Sequence, residues 1–277
     1  SLSKAWNIIE RFSEDIDLAL DKSFLGIGEC KTVKQVKKLR STTRKYIYEE
    51  FIPQLKERFS TAQYNDVRVV LNIEDGDNLE PVQILIIYET CTYLSDYTKP
   101  EVKIEIGSRS QVEPFTNRQF QSLVGEQFQG KSFADPPITV QCVNPERTFL
   151  EKLFLLHEEF QKSVAEIKVN RLSRHLYDIE ALMQTEFAEK AIQNKVLYND
   201  IIKHRSVYTK ISYIDYALHQ PKTLNPIPPD SVMNEWKKDY IKMQEQMIYG
   251  KSLSFEELIN RITELKSRIN KIDWTRN

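Results

Sequence analysis

Glycine is scarce, at seven in 277 residues. The chain has no glycine-rich phosphate loop, no dinucleotide fingerprint and no Gly-x-Ser-x-Gly turn, so the enzyme classes recognised by those motifs are excluded by motif. Cys30, Cys91 and Cys142 are few, odd in number and far apart. They argue against a disulfide framework and for a reducing cytoplasm. The four histidines include no pair at metal-ligand spacing, which argues against a zinc enzyme. Charge of either sign is not in excess, with 39 Lys and Arg against 40 Asp and Glu. No global basic field therefore advertises nucleic acid, while a local basic groove stays open. No apolar run reaches bilayer-spanning length, the longest (residues 84–88) being strand-sized, and no signal-peptide pattern opens the chain. No membrane partner is expected. The chain opens at Ser1 without a methionine, so the natural N-terminus is expected upstream.

What is present starts with Arg11-Phe12-Ser13-Glu14-Asp15-Ile16-Asp17-Leu18-Ala19-Leu20. If this is a strand, Asp15 and Asp17 share one face and Ile16 and Leu18 lie on the other. Two carboxylates side by side repel unless a cation joins them. Hard oxygen ligands suit Mg²⁺ or Mn²⁺. An edge strand with its acids in water is the other reading of the same residues.

Along the chain, Leu2, Ala5, Trp6 and Ile9 recur at helical spacing and predict a short helix. Residues 23–28 read as loop. From Thr32 the pattern is helical, with Val33, Val36, Thr43, Ile47, Phe51 and Leu55 on one side. Lys34, Lys37, Lys38, Arg40, Arg44 and Lys45 make it the most basic part of the chain. Such a run is either a solvated face or a phosphate contact. Pro53 is expected to kink or segment the helix. Residues 67–73 and 82–88 predict an antiparallel hairpin about the turn cluster 74–78. After a loop at 95–100, Val102, Ile104 and Ile106 alternate with Lys103 and Glu105, so Glu105 is a third strand carboxylate. Gly107-Ser108-Arg109-Ser110 ends that strand, residues 115–128 read as a connecting segment, and 138–143 predict another strand.

The second half is helical. Asn144-Pro145-Glu146 predicts a helix start, followed by the stripe Phe149, Leu153, Leu156 and Phe160. A second helix carries Leu172, Leu176, Ile179 and Leu182. Helix is also predicted over 195–218 and 231–247, with a proline-rich loop at 221–229 between them. Ser254-Phe255-Glu256-Glu257 is a capping box that opens a last helix with Leu258, Ile262, Leu265, Ile269 and Ile272. The chain thus divides into a mixed half, 1–144, and an all-helical half, 145–277.

Three constellations could carry chemistry. Asp15, Asp17 and Glu105 would converge on a metal site if their strands are neighbours, as phosphoryl transfer with two ions about 3.5–4 Å apart requires. Lys152 lies beside an apolar helix stripe, where it either snorkels to solvent or meets a triphosphate. Arg171, Arg174 and Asp178 fall on one predicted helical face, with Arg174 and Asp178 at ion-pair spacing. That pair is either a surface salt bridge or part of a nucleotide site. His157 beside an apolar face reads as a packing residue.

These residues resemble a known family. Ser1-Leu2-Ser3-Lys4 followed by Arg11-Phe12-Ser13-Glu14-Asp15-Ile16-Asp17-Leu18 is similar to the first motif of the AbiEii/AbiGii toxin family of nucleotidyltransferases. Val143-Asn144-Pro145-Glu146-Arg147-Thr148-Phe149-Leu150-Glu151-Lys152-Leu153 resembles its Lys-bearing helix. Ser173-Arg174-His175-Leu176-Tyr177-Asp178-Ile179 resembles its Arg/Asp helix, and Lys103-Ile104-Glu105-Ile106 fits the strand of the third carboxylate. The resemblance runs to about Leu182. It implies an α+β fold, a DNA polymerase β-like nucleotidyltransferase mixed sheet with flanking helices (core domain, 1–144), followed by a helical C-terminal domain (145–277). It also implies that Asp15 and Asp17 bind the metals, that Ser13 lies beside the phosphates and that Lys152 contacts the triphosphate. Asp178 completes the site, with Arg174 a further nucleotide-binding candidate. The family motif begins with a Gly-Gly-Thr-type turn just before the segment that starts here at Ser1. That turn is either upstream or lacking in this copy.

The leading expectation is a metal-dependent nucleotidyltransferase, the toxin of a bacterial toxin–antitoxin or phage-defence pair. It would join a nucleotide from an NTP to an acceptor hydroxyl on RNA such as tRNA, or on protein. Glu105 would hold an ion and serve as the base, and pyrophosphate would leave. A cognate antitoxin is an expected partner, and a cytoplasmic location is expected. The alternative is a non-catalytic, degenerate module that binds nucleotide, RNA or antitoxin. A metal-dependent phosphodiesterase is a third possibility.

Overall fold

The computed structural model describes residues 2–13, 15–72, 81–90, 99–108, 114–209 and 211–274. The expected α+β class holds. The chain forms two compact units. Ser13–Val112 with Val207–Thr209 make one, and Ser1–Phe12, Glu113–Ser206 and Lys210–Asn277 make the other.

The first unit is built on a four-stranded sheet in the order β1-β4-β3-β2. β1 (Asp15–Ala19) runs parallel to β4 (Glu101–Gly107). β2 (Arg68–Leu71) and β3 (Val82–Ile87) form the expected antiparallel pair, and β3 also pairs antiparallel with β4. The turn expected at 74–78 lies outside the described residues, as do Ser1, Cys91, residues 95–98, Arg109 and Ser110. Strand alternation decides the faces. Val69, Val82, Ile84, Ile104 and Ile106 are buried and pack against Ile47 and Ile52. Each such side chain contributes about 1.5–3 kcal/mol by leaving water. Ile16 and Leu18 lie opposite Ile104 and Ile106. Among the described strands β1 has only β4 beside it, and these two remain 44% and 39% exposed.

Helix α1 (Val33–Tyr46) is opened by Thr32, whose hydroxyl accepts from the Gln35 N–H while the Gln35 side chain accepts from the Thr32 N–H. This closes a capping box. A π-type turn, Ile47–Phe51, leads into α2 (Ile52–Thr61). Pro53 sits in the first turn of α2 and has no N–H for the helical ladder. Just before it, the Ile52 N–H bonds to the Ile47 carbonyl, five residues back. The helix is segmented there, as expected. Lys34, Lys37, Lys38 and Lys45 are exposed.

The second unit carries a two-stranded sheet, β5 (Phe115–Phe120) paired antiparallel with β6 (Ile138–Val143), and the short helix α3 (Leu123–Gln127). Residues 115–128 are therefore not a plain connection. The strand was hidden because Phe-Thr-Asn-Arg-Gln-Phe is apolar only at its ends and largely exposed, so pairing rather than burial makes it a strand. Next come α4 (Pro145–Glu159), α5 (Arg174–Met183), α6 (Glu186–Gln193), α7 (Lys195–His204), α8 (Met233–Gln246) and α9 (Phe255–Asn270). Phe149, Leu153, Leu156, Leu176, Ile179, Leu182, Leu258, Ile262, Leu265 and Ile269 are buried, as their helical spacing predicted. Ser254 and Glu257 form the predicted capping box. Asn144 precedes α4 as predicted, yet its side chain caps nothing and instead accepts from Thr116 Oγ1 at 2.8 Å.

Three further expectations are corrected. The helix expected over 195–218 stops at His204, where a π-type turn follows, and α6 was not foreseen. Leu2, Ala5 and Ile9 are buried as their spacing required, but the segment makes a turn and not a helix. Asn7 takes φ 51, a left-handed conformation that ends the turn. Arg171 precedes α5 with φ 62, so it does not share a helical face with Arg174 and Asp178. Among the described residues, no helix is long and apolar enough to cross a membrane.

Candidate functional site

In the first unit, the parallel pairing of β1 and β4 sets Asp15 opposite Lys103 and Asp17 opposite Glu105. Partners in register point to the same side, so all four side chains share the face away from Ile104 and Ile106. The sheet thus brings Asp15, Asp17 and Glu105 onto one surface, the strand adjacency that the sequence left open. A cation already lies among them. The Lys103 ammonium is 3.4 Å from Asp15 Oδ1 and 3.1 Å from Glu105 Oε1. Burial works against its charge, but Glu105 and then Asp15 outweigh burial and hold its pKa above the ordinary lysine value. Gln83 Nε2 donates to Glu105 Oε1 at 3.0 Å, and Asn72 Nδ2 donates to Gln83 Oε1 at 2.8 Å. Among the described residues, no group of three or more His, Cys, Asp or Glu is placed to hold a metal ion. The donor types fit a hard divalent ion, and Lys103 stands in competition with it. Ser13 is exposed just before β1.

In the second unit, the Lys-bearing and Arg/Asp helices meet at Asp178, which is fully buried. Arg11 grips it with a fork, Nε donating to Oδ1 and Nη2 to Oδ2, each at 2.7 Å. Lys152 Nζ is 2.8 Å from Oδ2. Burial alone would push the Asp178 carboxyl up, but Lys152 and Arg11 hold it well below the usual carboxylate range. His175 Nδ1 lies 3.4 Å from Lys152 Nζ. Burial, then Lys152 and Arg174, keep that imidazole neutral, its pKa well below the ordinary value. Lys152 therefore does not snorkel freely. The partners of Asp178 are Arg11 and Lys152, from distant parts of the sequence, and not Arg174 at i−4.

The entry to α5 is fixed by Asp239 of α8, a residue sequence reasoning missed. Its carboxylate accepts the Arg171 N–H at 2.7 Å, the Ser173 N–H at 3.1 Å and the Ser173 hydroxyl at 2.5 Å. Nothing local in the sequence links it to α5. Arg11 and Lys103 carried more signal, since both lie inside the motifs quoted above. His157 is buried, as expected, against the ring of His219. Its Nδ1 accepts the Asn225 N–H at 3.1 Å. Burial and then His219 lower its pKa to about 4.

A family model described as Nucleotidyl transferase AbiEii toxin, Type IV TA system, matches residues 1–261. Among solved structures, the chain is similar to MenT4, a nucleotidyltransferase toxin from Mycobacterium tuberculosis H37Rv. That likeness has 14% identity and a TM-score of 0.47, and covers 99% of this chain and 74% of the other. No curated protein matches.

Proposed function

The chain belongs to the AbiEii nucleotidyltransferase toxin family, and on that premise we propose that it moves a nucleotide from an NTP to an acceptor hydroxyl, releasing pyrophosphate. The observation that carries this reading is the shared face of Asp15, Asp17 and Glu105 on a rigid parallel strand pair. In this reading those three residues hold divalent metal, Mg²⁺ or Mn²⁺. Such an ion, when bound, supplies positive charge against the charge developing on the transferred phosphate. Ser13 lies beside the phosphates. The Lys152 ammonium contacts the triphosphate, with Arg174 as a second cation. Glu105 takes the proton of the acceptor hydroxyl. The acceptor oxygen bonds to the α-phosphorus as the bond to the pyrophosphate leaving group breaks.

The acceptor is RNA such as tRNA, or a protein hydroxyl, and the site of action is the cytoplasm. The Type IV TA description supports a cognate antitoxin as the biological counterpart; a toxin–antitoxin or phage-defence pair is the setting of this reading. In this reading residues 1–144 form the core domain and 145–277 the helical domain. Incubation with labelled NTPs, Mg²⁺ and total tRNA tests the reading. Label is expected to move to the acceptor with the wild-type chain and not with Asp15→Ala. No difference between the two would sink it.

A second reading has Lys103 in its favour. With a lysine ammonium between Asp15 and Glu105, the chain would be a non-catalytic module that binds nucleotide, RNA or antitoxin. Calorimetry separates the two, since tight Mg²⁺-dependent NTP binding argues against this one.

A further inference from the structure

Arg11 is a buried cation in a segment whose neighbours Leu2, Ala5 and Ile9 are also buried. It binds both oxygens of Asp178, and its Nη1 donates to the Phe12 carbonyl at 2.9 Å. The Phe12 N–H is in turn bonded to the Met247 carbonyl at 2.9 Å, and Arg11 bridges antiparallel to Ile248. The guanidinium is thus set by its own backbone as well as by the carboxylate.

The carboxylate of Asp178 is spent. Oδ1 accepts from Arg11 and Oδ2 accepts from Arg11 and Lys152, and the residue has no exposed surface. A carboxylate so enclosed presents nothing to an incoming nucleotide. Lys152 differs. Its ammonium has three N–H groups, of which Asp178 and the neutral His175 take two. Its side chain keeps 16% of its surface in solvent, so the third donor is the one that can reach a ligand.

We infer that Arg11 and Asp178 are positioning residues that aim the Lys152 ammonium at the triphosphate, and that neither touches the nucleotide. This rests on the reading of Lys152 given above. Arg11 locks the Asp178 carboxylate with a planar fork that lysine cannot copy. Asp178 and His175 then fix where the Lys152 nitrogen sits.

The test uses the full chain and four variants: Arg11→Lys, Asp178→Asn, Lys152→Ala and the double variant Arg11→Lys with Lys152→Ala. Thermal melting identifies any that fail to fold. Arg11→Lys keeps the charge and loses the fork on Asp178 together with the bond to the Phe12 carbonyl. Its kcat/KM for nucleotide transfer is expected to fall about a hundredfold, the scale of a 1 Å misplacement. In the Lys152→Ala background the same change is expected to cost less than about twofold, because the ion it serves is gone. Independent, multiplying losses overturn the inference.

A second readout needs no activity. Acylation of lysines by an N-hydroxysuccinimide ester, followed by mass spectrometry, measures how firmly Lys152 is held. It is expected to react more slowly than the exposed Lys251 in the wild type, and several-fold faster in Arg11→Lys or Asp178→Asn. Unchanged reactivity overturns the inference. Absence of nucleotide transfer by the wild type, with altered Lys152 reactivity in the variants, would defeat the nucleotidyltransferase reading and leave the clamp standing.

Discussion

Lys103 sits beside two of the three acids on the carboxylate face. Its ammonium offsets part of the negative charge of Asp15 and Glu105, and without it three carboxylates would repel more strongly across one surface. Lys103→Met is therefore expected to raise affinity for Mn²⁺ several-fold, measured by the loss of free-ion signal in electron paramagnetic resonance. Unchanged affinity would mean that Lys103 does not compete with the ion. The buried ionisable groups set the pH dependence of stability. His157 titrates near 4 when folded and near 6.5 when unfolded, because burial and then His219 disfavour its charge. The unfolded chain takes up the proton first, so stability falls as pH drops from 6.5 towards 4, by about 3 kcal/mol in full. Urea midpoints across that range check this, and His157→Leu is expected to flatten the slope. Asp178 has the opposite charge type and a folded pKa depressed below 3.8. Its contribution is whole above pH 3.8 and is lost as pH falls below that value. Asp178→Asn is expected to cost about 3–5 kcal/mol at neutral pH by urea denaturation, since it removes the buried carboxylate charge that Arg11 and Lys152 share.

The elements differ in how locally they are held. The start of α1 is held within four residues by Thr32 and Gln35, and Thr32→Ala is expected to cost about 1 kcal/mol. The start of α5 is held from another helix by Asp239. Asp239→Ala would strand two N–H groups and a hydroxyl. We expect about 2–3 kcal/mol and faster amide exchange at residues 171–176, and exchange unchanged there would refute the account. In α3, a side chain at Gly125 would place its first carbon 2.6 Å from Asp135 Oδ1 and 2.8 Å from its carbonyl. The carbonyl cannot swing away as a side chain can, which makes this glycine a requirement of the packing.

At the scale of the whole molecule, each unit has its own core, one around Ile84 and Ile104 and the other around Phe149, Leu153 and Leu156. Leu153→Ala is expected to cost about 2–5 kcal/mol, seen first as faster hydrogen exchange in α4 and α5. Ile84→Ala is expected to act first on β2, β3 and β4. Equal effects in both units from either truncation would contradict separate cores. Much of this architecture was legible in the sequence. Val102, Ile104 and Ile106 gave β4 its faces, Thr32 and Ser254 marked helix starts, and Pro53 marked a break. The strand β5 was not, since its residues gain stability from pairing with β6 and bury little. Nor was the turn at Asn7, where a single left-handed residue overrides helical spacing.

By itself the sequence determined the capped and strongly periodic helices, most strands and the motif residues, because periodicity and capping act over a few neighbouring positions. It also placed Asp15, Asp17 and Glu105 on faces of strands, leaving open which strands would be neighbours. Only the tertiary structure decided that β1 lies beside β4, and that a lysine stands among those acids. It also decided that Asp178, four residues after an arginine on its own helix, is paired with Arg11 and Lys152. The reason is physical. A buried carboxylate must find cations that can reach it without leaving their own packed positions, and which cations those are depends on chain segments far apart in sequence.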